Sequence, residues 1–173
     1  GAVEAYQRVL EAPELAAATW NGPRQSVRAD IEATQRLREL VRRAGRGAYA
    51  VYDEKAVSEM ASRAPPPAPG NNPGAVPATA RVIEGEEFEA LARRYPAARV
   101  GPEIWARSAS EYERSGRRGP ALAALGAGLV HAEWALAAGD VTQGAQVGEL
   151  SGRLVRALEA SDRSSAAAQL LGR

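Results

Sequence analysis

The residues able to do chemistry are few. His131 is the only histidine, and the chain has no cysteine. That removes a thiolate nucleophile, a disulfide framework and any metal site built on several imidazoles. His131 lies inside an apolar run, and Glu133, two positions on, faces another side of a helix. The spacing therefore predicts a hydrogen-bonded core histidine, not a catalytic base. Carboxylates gather at Glu84, Glu86, Glu87 and Glu89. They fit the first turn of a helix, where the positive end of the dipole favours acids without any catalytic role. Glycine-rich phosphate loops, nucleophile elbows and zinc-protease motifs do not occur in the sequence. The expectation is a non-enzyme with no catalytic residue, no metal and no cofactor.

Arginine dominates the positive charge: of 22 basic residues only Lys55 is not arginine. This bias fits a GC-rich genome, although the guanidinium fork also suits phosphates and carboxylates. The stretch 24–46 holds seven arginines. Six of them, Arg24, Arg28, Arg36, Arg42, Arg43 and Arg46, carry the alternative reading, a helical nucleic-acid-binding surface. Against it, Asp30, Glu32 and Glu39 interleave, and Glu32–Arg36 and Glu39–Arg43 have the four-residue spacing of intrahelical ion pairs. No aromatic side chain stands among the arginines to stack on bases, and the net charge is only +1. A solvated, ion-paired face is the simpler expectation.

Gly144, Gly148 and Gly152 form a stripe at helical spacing. Three interior glycines cost about 3 kcal/mol relative to alanine, so close backbone approach should offset them. Helix 120–139, with Gly126, Ala127 and Gly128, is the expected neighbour, and a homodimer or partner contact is the alternative. Trp20, Trp105 and Trp134 read as core or interface anchors. The interaction candidates are Trp105, Tyr112, Leu129 and Trp134 together with the glycine stripe.

Helices must position these residues. Alanine supplies 38 of the 173 residues, and it is the best helix former. Residues 63–79 hold six of the eleven prolines and read as a linker or long loop. They divide the chain into an N-terminal helical segment, 1–62, and a C-terminal helical bundle, 80–173. In the first segment Val3, Tyr6 and Leu10 follow helical spacing, and Pro13 opens a second short helix through about Trp20. Asn21-Gly22 stops that helix and Pro23 opens the next, to about Ala44. Tyr49–Tyr52 reads as a short extended piece, with Asp53 as N-cap of a helix carrying Val57 and Met60. In the second segment the expected helices are 85–95, 102–116, 120–139 and 141–160, with Ser161-Asp162 capping a last one. Short turns between them make neighbours antiparallel. The stretch 120–139 has nearly the length of a bilayer span. Its alanine content and Glu133 favour a buried bundle helix instead.

Residues 101–126 resemble part of a tetratricopeptide repeat. Trp105, Ala109, Tyr112, Gly116, Ala121 and Leu125 fall at that family's early tryptophan, small, aromatic, turn-glycine, alanine and large apolar positions. The resemblance implies a protein-binding helical hairpin and no catalytic residues.

Together these readings predict an all-α fold of antiparallel helical hairpins, two helical segments joined by a Pro-rich loop. The expected function is a non-enzymatic protein–protein interaction or assembly module of the adaptor, chaperone or secretion-accessory kind. Its partner would be another protein or a second copy of the chain. The opening residues already carry Glu4, Arg8 and Glu11 and show no secretory apolar run. A soluble protein is expected, cytoplasmic ahead of exported.

Overall fold

The computed structural model describes residues 1–21, 26–63 and 78–161. Among these the chain forms α1 (Ala2–Glu11), α2 (Pro13–Ala16), α3 (Ala29–Ala44), α4 (Ala50–Arg63), α5 (Ala78–Arg94), α6 (Gly101–Arg114), α7 (Arg118–Ala137) and α8 (Gly144–Glu159). Two 3-10 turns, Arg46–Tyr49 and Val141–Gln143, lead into α4 and α8. The fold is an all-α bundle.

α5, α6, α7 and α8 pack in chain order, and α1 packs on α3. Positive φ at Gly116 (75°) and Gly139 (93°) lets the chain reverse between α6 and α7 and between α7 and α8. The two segments separated by the prolines share one core. Leu37, Val41, Tyr49 and Met60 from the first belong to the same buried cluster as Leu91, Ile104, Leu125 and Leu150 from the second. α7 is long and apolar enough to cross a bilayer, but in this fold Ala121, Leu125, Leu129, Ala132 and Ala135 are buried in the bundle.

Glycines set the closest approaches, though not those of the stripe. A Cβ on Gly128 would lie 2.9 Å from the Trp105 Cβ, and one on Gly85 3.0 Å from the Tyr112 ring. A Cβ on Gly101 would collide with the His131 ring. Thus α5, α6 and α7 are held together by three glycines at separate crossings. Gly144 and Gly148, by contrast, have nothing near them, and Gly152 meets only the Arg156 side chain of its own helix. The expected seam between the stripe and helix 120–139 is corrected accordingly. α8 docks through Leu150 and Val155, with Val147 and Leu154 partly buried, and turns its glycines to solvent.

Local differences from the sequence reading have physical causes. α3 begins at Ala29, later than the sequence reading placed it. Thr19, Trp20 and Val27 belong to a hairpin of β1 (Thr19–Asn21) and β2 (Ser26–Arg28), with Trp20 opposite Val27. Aromatic and β-branched residues favour that pairing over a helix. α2 accordingly ends at Ala16, short of Trp20. Tyr49–Tyr52 is helical, not extended: the rings lie 5.1 Å apart at i,i+3 spacing, and Tyr49 is drawn into the core. Asp53 is therefore inside α4 and not its cap. α5 starts at Ala78, with Gly85 inside it against Tyr112. The last expected helix, most of the linker, and Arg24 lie outside the described residues.

Candidate interaction groove

The turn joining α5 to α6 is gripped by its backbone. Gln7 Nε2 donates to the Arg94 carbonyl at 2.8 Å, Arg38 Nε to Pro96 at 2.9 Å and Arg46 Nη1 to Ala97 at 2.8 Å. The Arg99 N–H donates to Asp53 Oδ1 at 2.8 Å, and Gln143 Nε2 donates to the Arg99 carbonyl at 3.3 Å. Tyr49 orients the first of these, its hydroxyl donating to Gln7 Oε1 at 2.7 Å. Four elements of the N-terminal segment thus fix it to the bundle at one turn.

Beneath this turn sits Trp134. The Arg38 and Arg46 guanidinium carbons lie 5.2 Å and 5.7 Å from its ring centre, in cation–π range. His131 meets the same ring edge-on at 5.9 Å. The imidazole is wholly buried, and neither nitrogen completes a hydrogen bond among the described residues. The sequence reading is right about the core. Burial, aided by the charges of Arg38 and Arg46, lowers the His131 pKa to about 3, against a weaker opposing influence of the Ala98 backbone. This side chain is neutral at ordinary pH and out of reach of any substrate. Burial also raises the Asp53 pKa, while the Arg99 N–H, Arg46 and Arg99 pull it down.

The charges here do not balance. Arg46 pairs with Asp53 at 3.4 Å, and Arg99 lies 3.8 Å from Asp53 and 3.9 Å from Asp140. Arg38 has no carboxylate within ion-pair distance among the described residues. Its Nε is committed to Pro96, and its two terminal nitrogens donate to no described group and are not sealed from solvent.

Arg38 opens onto a groove of about 660 Å³ between the N-terminal helices and the bundle. Its walls are mainly apolar, with Leu10, Pro13 and Ile31 on one side and Trp105, Ala127 and Val130 on the other. Ile31 and Val130 are 49% and 57% exposed. The other charged residues of the lining are accounted for. Asp30 pairs with Arg28, Arg93 with Glu89, Arg94 with Glu59, and Glu11 lies 4.0 Å from Lys55.

Among the sequence candidates, Trp105, Tyr112 and Leu129 are 7%, 2% and 4% exposed. They belong to the core, and only Trp105 borders the groove, with Arg93 over its ring at 5.7 Å. Trp134 is partly buried under the arginines. The arginine face is a mixed-charge surface: Arg28 pairs with Asp30, Arg36 with Glu32, and Arg42 and Arg43 with Glu39. Those two hydrogen bonds bring the Glu39 pKa down to about 2. Arg46, expected on that face, is turned inward onto Ala97 and Asp53. Among the described residues, no group of three or more histidines or carboxylates is placed to hold a metal ion.

Arg38 escaped the sequence reading, yet it carries a signal. Within α3 it is the one arginine with no acid three or four positions away; Thr34, Gln35, Val41 and Arg42 stand there. Compared with known protein families, curated proteins and solved structures, the chain matches none.

Proposed function

We propose that this chain is a non-enzymatic protein–protein interaction module that takes an amphipathic helix of its partner into the groove between α3 and α7. The observation that carries this is the open apolar groove flanked by exposed Ile31 and Val130. Such a channel between helices is suited to an apolar helix face with anchors at i, i+3 or i+4 and i+7. The protein-binding role implied by the tetratricopeptide resemblance of residues 101–126 agrees with it. The glycine stripe and the buried Tyr112 and Leu129 then act as scaffold, not as contact surface, while Trp105 supports one wall of the groove.

The test is photo-crosslinking in cells that make the protein natively. A photoreactive residue replaces Val130, and a control replaces exposed Val51 on α4. A discrete adduct formed from position 130, absent from position 51 and lost on Ile31→Glu, supports the groove. Identical adducts from both positions, or none from position 130, refute it.

A further inference from the structure

We infer that the partner helix carries a carboxylate on its apolar face and that Arg38 receives it. This rests on the groove reading above and adds what the groove selects. The first argument is charge. Arg38 and Arg46 lie over Trp134, and with Arg99, which shares Asp53 with Arg46, three arginines face two carboxylates, Asp53 and Asp140, while His131 is neutral. Arg46 and Arg99 have their partners, so the surplus positive charge is Arg38 alone. The four other charged residues of the groove lining are each matched by an opposite charge. A bound segment therefore meets one unmatched cation in an otherwise apolar channel.

The second argument is geometry. The Arg38 guanidinium is fixed by its Nε–H bond to Pro96 at 2.9 Å and by the Trp134 ring at 5.2 Å. Both terminal nitrogens remain free among the described residues, and that pair is the edge of the fork that binds a carboxylate bidentately. Holding the fork in advance reduces the entropy lost on binding. Partial removal from water also strengthens the ion pair compared with an exposed one.

The third argument is size. Ile31 and Val130 stand exposed at the two rims. They belong to different helices, α3 and α7, and the face of a bound helix, about 10–12 Å across with its side chains, offers apolar area to both. The carboxylate is thus an aspartate or glutamate within a helix, one position inside the row of apolar anchors.

The experiment uses a phage-displayed library of fully randomised 16-residue peptides. It is panned on the full-length chain, with Val130→Glu protein as the counter-screen. Peptides that depend on Val130 should share apolar anchors at i, i+3 or i+4 and i+7, with an acid at a constant offset among them. Exchanging that acid for its amide in a synthetic peptide should weaken binding by about tenfold, as expected for a charge-assisted hydrogen bond. On Arg38→Met protein the acid and amide peptides should bind alike, which closes a double-mutant cycle. The peptide exchange leaves the protein untouched, so it decides the matter even if Arg38→Met is poorly folded. Val130-dependent peptides with no acid preference overturn the Arg38 assignment and leave the groove standing. A selection that yields no Val130-dependent peptide overturns the groove itself.

Discussion

Acid should unfold this protein through its histidine. His131 is wholly buried, beside two guanidinium groups, and its pKa falls from 6.5 to about 3. The unfolded chain takes up the proton near pH 6.5, and the folded chain refuses it until near pH 3. Between these values the unfolded state binds more protons, so stability falls as pH falls. One proton corresponds to a slope of about 1.4 kcal/mol per pH unit. From pH 7 to pH 4 the expected loss is roughly 3 kcal/mol, a large share of the 5–15 kcal/mol typical of a domain. The measurement is urea unfolding followed by circular dichroism at pH 7, 6, 5 and 4, on the native chain and on His131→Leu. Asp53, whose raised pKa acts in the opposite direction, and the surface carboxylates are common to both proteins. The difference between the two pH profiles therefore isolates the imidazole, whatever the absolute stability of the variant. His131→Leu should have the flatter profile. Two parallel profiles would refute the reasoning, because they would mean that His131 is charged, or hydrated, inside the fold.

The glycines give a pair of opposite outcomes. Gly148→Ala, with open space at its Cβ, should raise stability by up to about 1 kcal/mol, while Gly101→Ala drives a methyl into the His131 ring and should cost about 3 kcal/mol or more; thermal melts of both variants check this. Arg46→Met leaves the Ala97 carbonyl without its donor and Asp53 with the Arg99 N–H and the more distant Arg99 guanidinium. It should cost about 2–4 kcal/mol in urea, with strong coupling to Asp53→Asn in a double-mutant cycle. Tyr49→Phe removes the donor to Gln7 Oε1 and should cost about 1–3 kcal/mol. Amide exchange should then quicken in α1 ahead of the bundle.

The helices were legible where apolar spacing is regular. α6 and α7 follow from Ile104, Trp105 and Tyr112 and from Leu125, Leu129 and Ala132, because their periodicity is the packing itself. The strand pair β1–β2 was hidden because proline at 23 reads as a helix start, while the pairing of Thr19 with Arg28 joins residues nine positions apart, beyond what local signals weigh. Small residues misled in a different way. Spacing reveals that Gly144, Gly148 and Gly152 share a face, but not which face the bundle uses. The larger side chains Leu150 and Val155 decided that, as burial of apolar area outweighs a glycine's convenience. Residue type alone could not separate Arg38 from its neighbours. Its missing local acid separated it, and only the tertiary contact with Pro96 and Trp134 made that absence matter.

The grip on the α5–α6 turn has a bearing on how such a sequence can drift. Most of its bonds end on main-chain groups, at Arg94, Pro96, Ala97 and Arg99. Every amino acid offers the same carbonyl, and all but proline the same N–H, so these bonds leave side-chain identity free, and at Ala97 and Ala98, both at 0% exposure, the constraint is space. Length is another matter. Inserting one residue shifts each carbonyl by about 3.8 Å along the chain, beyond reach of donors rooted in other helices. Relatives of this protein should therefore vary in the letters of this turn while keeping their number, and should hold Gln7, Arg38, Arg46 and Asp53 together as a set.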